Sequence, residues 1–297
     1  MNILVTGSSG LVGSALVPYL TAGGHRVTRL VRSRPKEGEA SWDPDSGQID
    51  AAVLEGLDAV VHLAGENVAS GRWTRAKKER IRQSRVLGTG VLVEALARTA
   101  RPPRAFLSAS AVGYYGDRGE EVLREESPPG NGFLASVCRE WEAAAQGAAA
   151  NGARVVCLRF GVILSSRGGA LKKMLLPFQL GVGGVLGSGK QYLSWVAIDD
   201  ILGVIHHILG REDLSGPVNV VAPAPITNFE FTKTLGRVLS RPTFLPLPAF
   251  AARLAFGEVA DEMLLASARA EPARLAASGH AFAFPGLEGA LRHVLGK

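Results

Sequence analysis

The first 160 residues alternate between short apolar runs and longer amphipathic stretches. The apolar runs predict strands at Asn2–Thr6, Arg26–Val31, Asp58–Leu63, Arg104–Ser110 and Arg154–Leu158. Between them, apolar residues at helical spacing predict helices from Leu11 to Leu20, over Thr74–Thr99 and over Asn131–Ala150. Ser33–Gly47 is rich in Pro, Gly and charge, which predicts a surface loop. Apolar strands that alternate with helices are typical of a parallel sheet covered on both faces.

The pattern changes after Phe160. Residues 168–189 are rich in glycine and lysine, and the pattern then predicts a strand at Leu193–Ile198, a helix at Asp199–Leu209 and a strand at Pro217–Val221. Residues 227–297 have a mostly helical pattern with prolines at the joints. The sequence therefore predicts an α/β fold, a Rossmann doubly wound parallel sheet with a smaller, mostly helical C-terminal lobe. We place the Rossmann domain at 1–165 plus about 197–222, and the smaller lobe at 166–196 and 223–297.

Composition narrows the class of partner. The 297 residues are 46% apolar and 20% charged, with a formal net charge of +6. This charge favours an anionic partner. Basic residues are scattered, however, apart from a helical cluster at Arg72–Arg85, and no basic stretch carries the spaced aromatics of a single-strand binder. A phosphate-bearing small molecule needs only one or two arginines, so we expect such a ligand and no nucleic acid.

Other features bear on location and on metal binding. No apolar run approaches the ~20 residues of a membrane span, so we expect no membrane partner. Cys138 and Cys157 are too few and too isolated for a disulfide framework or a metal site. We expect two buried free thiols in a reducing compartment and no metal. The first strand begins at Asn2, which leaves no room for a secretion signal; we expect a cytoplasmic protein, or one of an organelle stroma or matrix.

The strongest local signal follows the first predicted strand. Residues 6–13 read TGSSGLVG. Backbone N–H groups at a helix start bind a pyrophosphate when no side chain blocks its approach. Gly7 permits the tight turn, Gly10 admits the phosphates and Gly13 lets the helix pack on the sheet. The pattern predicts a dinucleotide site, against the alternative of a plain glycine-rich turn, and its residues are Thr6, Gly7, Ser9, Gly10, Leu11, Val12 and Gly13.

The end of the second strand separates the two nicotinamide cofactors. An NAD-binding protein usually has Asp or Glu there to hold the ribose hydroxyls. Residues 29–34 read RLVRSR, with no acid among them. Arg32 can pair with a 2′-phosphate and Ser33 can add a hydroxyl. The sequence favours NADP (NADPH) over NAD, and the alternative is a surface arginine without a ligand.

The third strand ends in HLAG at residues 62–65. This is the carboxyl edge of the predicted sheet, where open α/β sheets bind their ligands. Small residues let the backbone lie along a cofactor, so Leu63, Ala64 and Gly65 complete this part of the predicted site. We expect His62 to be a packed strand residue rather than a catalyst.

Several motifs together resemble a known family. They are TGxxGxxG at 6–13, HLAG at 62–65, SAS at 108–110 followed by Tyr-Gly, LRFG at 158–161 and SWVAIDD at 194–200. This set resembles the extended short-chain dehydrogenase/reductases, the sugar-nucleotide epimerase/dehydratase group. Further stretches, such as GRWT at 71–74, RIRQSR at 80–85 and GPVN at 216–219, are similar to its atypical "epimerase family", whose C-terminal lobe has no assigned function. The resemblance implies a nucleotide-binding protein with Ser108 and Phe160 beside the cofactor, and a homodimer formed through two helices.

The catalytic dyad of that group is missing. It consists of a Tyr whose phenol transfers a proton and a Lys one helical turn later that lowers the phenol pKa and holds the ribose. None of the four tyrosines is followed four residues later by Lys. In the matching helix the dyad positions hold Phe133 and Val137, or Leu134 and Cys138, depending on the register. None of these side chains can perform either task.

Some of the site remains without the dyad. Ser110 matches the group's active-site serine, which hydrogen-bonds a substrate carbonyl or hydroxyl; the alternative is an ordinary strand-end serine. Tyr114 and Tyr115 lie on the next loop, where they can line the pocket. We predict Ser110, Tyr114 and Tyr115 as catalytic residues and consider Glu66 as a further acid. The Arg72–Arg85 cluster either grips the cofactor or an acidic ligand, or is a solvated helix face.

Two functions stay open at this point. The first is an NADP(H)-dependent oxidoreductase or epimerase that acts on an unknown small or sugar-like substrate through a non-standard acid. The second is a non-catalytic NADPH-binding sensor or regulatory protein. An intact cofactor loop without a dyad fits the second function, and a pocket that retains Ser110 and two tyrosines fits the first.

Overall fold

The protein is built around one large sheet, and the computed structural model describes residues 1–297. The strands in chain order are β1 Asn2–Thr6, β2 Arg26–Val31, β3 Glu39–Asp43, β4 Gln48–Ile49, β5 Ala59–His62, β6 Ala105–Ala111, β7 Val122–Leu123, β8 Arg154–Phe160, β9 Val162–Leu164, β10 Tyr192–Leu193, β11 Trp195–Ala197, β12 Gly216–Val220, β13 Ile226–Thr227 and β14 Arg269–Ala270. The α-helices are α1 Leu11–Ala22, α2 Arg75–Ala97, α3 Phe133–Gln146, α4 Gly169–Gln179, α5 Ile198–Leu209, α6 Asn228–Leu239, α7 Ala249–Phe256, α8 Ala273–Ala277 and α9 Leu287–Leu295.

The main sheet has eight strands in the order β12-β8-β6-β5-β1-β2-β3-β4. Every neighbouring pair is parallel except β3 and β4, which are antiparallel. β1 pairs with β2 on one side and with β5 on the other, so the strand order reverses between β1 and β5. A ligand binds such a sheet outside the carboxyl ends of the strands at this reversal. The predicted doubly wound Rossmann fold is confirmed.

Helices cover both faces of the sheet. On one face, α1 and α5 bury Leu16 and Ile205 in the same core as Ile3 and Val5 of β1. On the other face, α2 and α3 bury their apolar residues in a second core that contains Leu4. Because alternate residues of β1 point to opposite faces, its uninterrupted apolar run supplies both cores.

A third core lies in the C-terminal part of the chain. Phe178 of α4, Trp195 of β11, Phe231 of α6 and Leu291 of α9 are buried together there. The C-terminal region is mainly helical, as predicted. The predicted domain boundaries, the homodimer and the cytoplasmic location stay predictions. No helix has both the length and the apolar character needed to cross a membrane.

The structure corrects two predicted elements. Ser33–Gly47 is not all loop, because Glu39–Asp43 forms the seventh strand of the sheet and pairs with β2. Its side chains alternate, so Ala40 and Trp42 are buried while Ser41 is exposed. The predicted strand Leu193–Ile198 is instead two short strands, β10 and β11, which pair with different partners.

Candidate functional site

The glycine loop between β1 and α1 is closed by contacts between backbones. Gly7 has φ +64°, and a Cβ there would lie 2.6 Å from the carbonyl carbon of Leu63. A Cβ on Gly13 would lie 2.3 Å from the carbonyl oxygen of Gly7 and 2.7 Å from Cα of Ser8. Gly13 is therefore required by the loop itself, whereas the sequence indicated packing on the sheet. Gly10 precedes α1 without a side-chain cap, so no side chain occupies the N–H groups at the helix start.

Thr6 and His62 join the ends of β1 and β5. The Thr6 hydroxyl oxygen accepts hydrogen bonds from the N–H groups of Leu63 (3.1 Å) and Ala64 (3.2 Å) and lies 2.8 Å from Nδ1 of His62. With both lone pairs taken, the hydroxyl donates to Nδ1, so His62 donates from Nε2 to Thr89 (3.0 Å). Burial lowers the pKa of His62 to about 4, so the ring is neutral. His62 is thus a packed strand residue.

Two exposed arginines follow β2. Arg32 and Arg34 are exposed and make no ion pair within the protein, and Ser33 between them is also exposed. Arg29, which precedes them in β2, pairs with Glu39 at 2.9 Å. The end of β2 therefore presents positive charge that no carboxylate of the chain neutralises at contact distance.

The structure brings most of the other predicted cofactor residues to the same edge of the sheet. Ser9 and Gly65 are exposed, Leu11, Leu63, Ala64 and Phe160 are half-buried, and Thr6 and Val12 are buried. The Val12 side chain packs in the core, so only its backbone can reach a ligand. Ser108 is buried within β6, paired with His62 and Cys157, three residues before the strand ends, and its hydroxyl donates to the carbonyl of Ala109 at 3.2 Å. Its position beside the cofactor stays a prediction.

Ser110 belongs to a buried polar network. Its hydroxyl donates to Glu142 Oε1 at 2.7 Å, and the Glu142 carboxylate pairs with Nε and Nη2 of Arg159, each at 2.8 Å. Nη1 of Arg159 donates to the Tyr115 hydroxyl oxygen at 2.9 Å, and this hydroxyl donates to Asn219 Oδ1 at 2.7 Å. The Ser110 hydroxyl proton is therefore engaged by a carboxylate, a role that the sequence did not predict.

The two predicted catalytic tyrosines differ in their surroundings. Tyr115 is 0% exposed, and burial raises the pKa of its phenol to about 12. It neither lines a pocket nor acts as an acid at neutral pH, which corrects the prediction. Tyr114 is half-buried, its ring lies 3.5 Å from the Arg159 guanidinium, and its hydroxyl has no partner in the protein. Of the three predicted catalytic hydroxyls, only that of Tyr114 is free of protein partners.

The structure settles the register of the missing dyad. The Cys138 thiol lies beside Ser110 and the backbone of Ala111, and a Cβ on Gly113 would touch Leu134 at 3.4 Å. Phe133 instead packs against the Trp73 ring, with centroids 5.1 Å apart. The dyad positions are therefore Leu134 and Cys138, which precede Glu142 by two turns and one turn on the same face of α3.

Cys138 cannot replace the missing lysine as a fixed charge. Burial, assisted by the nearby Glu142 carboxylate, raises the pKa of the thiol to about 11, so it is neutral at physiological pH. Glu66 is also unsuited to be the acid. Its carboxylate accepts a hydrogen bond from Lys77, and this bond holds its pKa below the ordinary value.

The basic cluster at residues 72–85 divides into paired and unpaired members. Lys77 pairs with Glu66, Lys78 with Glu258, and Arg82 with Glu140. Arg85 lies deeper and has no carboxylate partner. Neither the pairs nor this difference was predicted, because the acidic partners come from three separate parts of the chain.

A second residue that the sequence did not indicate is Glu262, in a π-helix at Ala260–Leu265. Its carboxylate accepts hydrogen bonds from the backbone N–H groups of Phe133 (2.9 Å) and Leu134 (3.0 Å). Glu262 therefore caps α3 from the C-terminal region and satisfies two of the N–H groups that a helix start leaves free. The preceding Gly132 has φ +106°, and a Cβ there would clash with this carboxylate.

Comparisons with known proteins agree with this architecture. Residues 3–221 match the NAD dependent epimerase/dehydratase family, and residues 247–294 match a domain of unknown function, DUF1731. The chain is 46% identical over 281 residues to the epimerase family protein Mb2239 of Mycobacterium bovis, which covers 94% of this chain and 93% of that one.

Two solved structures are also similar over the whole chain. One is the crystal structure of human epimerase family protein SDR39U1 (isoform 2) with NADPH, at 37% identity, a TM-score of 0.91 and 99% coverage of both chains. The other is the nucleoside-diphosphate sugar epimerase from Corynebacterium glutamicum, at 41% identity and a TM-score of 0.82, where 100% of this chain covers 58% of that one. The resemblance seen in the sequence is confirmed: the chain belongs to the NAD-dependent epimerase/dehydratase family, as an epimerase family protein with a C-terminal DUF1731 region.

Proposed function

We propose that the protein binds NADP(H) at the carboxyl edge of the main sheet and acts as an oxidoreductase or epimerase on a small or sugar-like substrate. The observation that carries the proposal is the unpaired Arg32 beyond β2, together with the glycine loop. A human relative was crystallised with NADPH, which supports the same cofactor here. When bound, the nicotinamide would supply or accept a hydride.

The residues present fit this cofactor. A Cβ at Gly7 or Gly13 would collide with backbone, so the loop is as thin as a close-approaching pyrophosphate requires. The uncapped start of α1 would offer its N–H groups to the phosphates. Arg32 is exposed and has no acidic partner, so its guanidinium is available to form a bidentate contact with a 2′-phosphate.

Few side chains of the proposed site are available to donate a proton. Ser110 donates to Glu142, Tyr115 is buried with a raised pKa, and Glu66 is bound to Lys77. This leaves Tyr114 as the predicted residue with a free hydroxyl. We therefore assign it as the candidate proton donor.

The test of cofactor preference is a binding titration of NADPH and NADH. We expect NADPH to bind about 10- to 100-fold more tightly than NADH, since a charge-assisted contact contributes about 1.5–3 kcal/mol. Arg32→Ala should remove this preference by weakening NADPH alone. Arg34→Ala is the matched control, because it removes the same charge two residues away and should leave the preference unchanged. Failure of both nucleotides to bind, or a preference that survives Arg32→Ala, would contradict the proposal.

A second candidate function is a non-catalytic NADPH sensor. The observation that favours it is the replacement of the dyad by Leu134 and Cys138. The two functions separate in an NADPH-oxidation assay against small carbonyl compounds and sugar nucleotides, with Tyr114→Phe as the reference variant. Turnover that this variant loses supports the enzyme, whereas binding without any turnover supports the sensor.

A further inference from the structure

Most of the exposed large apolar side chains lie in one part of the C-terminal region. The protein exposes thirteen such side chains, and eight of them belong to residues 176–182 and 244–256, which we call the apolar face. Leu254 is 76% exposed, Phe250 72% and Phe244 70%. Single exposed apolar residues are common on protein surfaces, but a concentration of this kind marks an interaction surface.

The two segments of the apolar face are joined by hydrogen bonds between the chain stretches next to them. The N–H of Gly187 donates to the carbonyl of Leu247, and the N–H of Leu247 donates to the carbonyl of Val185, each at 2.9 Å. Nε of Arg241 donates to the carbonyl of Gln179, also at 2.9 Å. The end of α4 and the stretch that leads into α7 therefore run side by side, and the exposed side chains form one surface.

The helices of the apolar face present apolar pairs to solvent. In α7, whose sequence is AFAARLAF, only Ala252 is buried. Phe250 and Leu254 are one turn apart, so they share a side of this helix. Leu176 and Leu180 are one turn apart at the end of α4 and are also exposed. No other part of the chain covers these side chains, and their transfer out of water would be favourable.

Positive charge predominates in the segments that carry the apolar face. Residues 167–190 contain four Lys or Arg and no acid, and residues 229–254 contain four Lys or Arg and a single acid, Glu230. Of these eight basic residues, only Arg237 and Arg253 form ion pairs. The other six keep their charge without an acidic partner. The surface thus combines exposed apolar side chains with uncompensated positive charge.

This combination separates the partners that could cover the apolar face. A second copy in symmetric contact would bring two positively charged surfaces together, which is unfavourable. A groove for a peptide partly shields the side chains that line it, whereas Phe250 and Leu254 protrude into solvent. A membrane with anionic lipids offers an apolar layer beneath a negatively charged surface, so it matches both properties.

We infer that the apolar face docks on the surface of a membrane that contains anionic lipids. The apolar side chains of α7 and of the end of α4 enter the boundary between headgroups and acyl chains, and the nearby lysines and arginines contact lipid phosphates. We expected no membrane partner because the sequence has no spanning segment, but docking on a surface requires none. The inference goes beyond the proposed function and does not depend on nucleotide binding.

Co-sedimentation of the full chain with lipid vesicles tests the inference. One set of vesicles contains phosphatidylcholine alone, and the other contains phosphatidylcholine and phosphatidylglycerol in equal parts. We expect the protein to bind the anionic vesicles at least about 10-fold more tightly than the neutral ones, because each basic residue near such a surface adds to the attraction. High salt should reduce this difference, since it screens the charges.

Two pairs of variants locate the contact on the apolar face. Leu254→Gln replaces an apolar side chain with another good helix former and should weaken binding to anionic vesicles about 10-fold. Its matched control is Leu87→Gln in α2, where the side chain is 57% exposed but lies outside the face. Lys172→Gln should weaken binding about 5-fold, and Lys36→Gln, after β2, is its control. All four side chains are exposed, so thermal unfolding should match that of the wild type.

The other outcomes contradict the inference. Wild-type protein that binds neither vesicle, or binds both equally, does not dock on an anionic membrane. Equal losses for Leu254→Gln and Leu87→Gln would show that the apolar face is not the contact. Sedimentation velocity tests the second copy: a wild-type oligomer that Leu254→Gln converts to a monomer would mean that another chain covers this face. The NADPH titration is a separate measurement, so each of these failures leaves the proposed function intact.

Discussion

Two arginines next to α3 have opposite surroundings. The side chain of Arg159, on β8, is 3% exposed and pairs through two nitrogens with Glu142. Its remaining nitrogen donates to Tyr115 and to the carbonyl of Glu125. Arg85, on α2, contacts a different face of α3 through Trp141 and has two carbonyl partners and no carboxylate. The protein supplies hydrogen-bond partners for all three nitrogens of Arg159, but only for Nη1 of Arg85.

The difference separates residues that build the site from residues that are available to a ligand. The network around Arg159 occupies Ser110 and Tyr115, two of the three residues that the sequence suggested as catalytic. A hydroxyl held by a buried carboxylate or guanidinium positions the strand end and loop that carry it. In Arg85 only Nη1 makes contacts of this kind, to the carbonyls of Glu66 and Ile81, and the other nitrogens have no protein partner. Hydrogen-bond partners therefore distinguish the two cases where residue type alone does not.

Glu142→Ala tests the paired arginine, Arg159, by removing its carboxylate. Glu142→Ala leaves the Arg159 charge buried without its carboxylate, and we expect a loss of about 3–5 kcal/mol in the free energy of unfolding. Urea denaturation measures this loss. Glu140→Ala is the matched control two residues earlier, because its partner Arg82 is largely exposed and such pairs contribute little. Equal effects of the two substitutions would contradict the structural role of the Arg159 network.

Gly13→Ala tests the glycine loop at the carboxyl edge of the sheet. Alanine normally stabilises a helix interior relative to glycine, but here its Cβ would lie 2.3 Å from a backbone oxygen of Gly7. We expect a loss of about 1–3 kcal/mol in the free energy of unfolding, together with weaker NADPH binding.

The control for Gly13→Ala is Gly90→Ala in α2. A Cβ on Gly90 would meet nothing within 4 Å, so alanine there should stabilise the protein by up to about 1 kcal/mol. If Gly13→Ala stabilises the protein and preserves NADPH binding, the loop tolerates the added atom. The proposed need for glycine at this position of the phosphate-binding loop would then be wrong.

The sequence predicted the strands and helices that are determined by residues close together in the chain. The strand before TGSSGLVG and the helix after it follow from a local pattern, and so do β2, β5 and α2. β3 was missed because Pro, Gly and charge surround a five-residue strand whose inward residues are only Ala40 and Trp42. Local composition there indicates a loop, and the pairing with β2 overrides it.

The predicted site failed where partners are distant in the chain. Tyr115 meets Asn219 across 104 positions, and no spacing rule connects them. The register of α3 was ambiguous because Phe133 and Val137, like Leu134 and Cys138, are apolar pairs at helical spacing. The contacts of Cys138 with Ser110 and of Phe133 with Trp73 distinguish them. The Arg72–Arg85 cluster was visible in the sequence, but which of its members pair with an acid was not.

The smallest expected changes in stability are at Tyr115, which belongs to the Arg159 network, and Tyr114, whose hydroxyl has no protein partner. Tyr115→Phe removes a hydroxyl that accepts from Arg159 and donates to Asn219, so we expect a loss of about 1–2 kcal/mol in the free energy of unfolding. NADPH affinity should not change, because the hydroxyl is 0% exposed. Tyr114→Phe should leave stability nearly unchanged, since its hydroxyl has no protein partner, while any turnover of NADPH should fall. If Tyr115→Phe abolishes turnover without loss of stability, the buried network takes part in the chemistry, and the division between the two arginines is wrong.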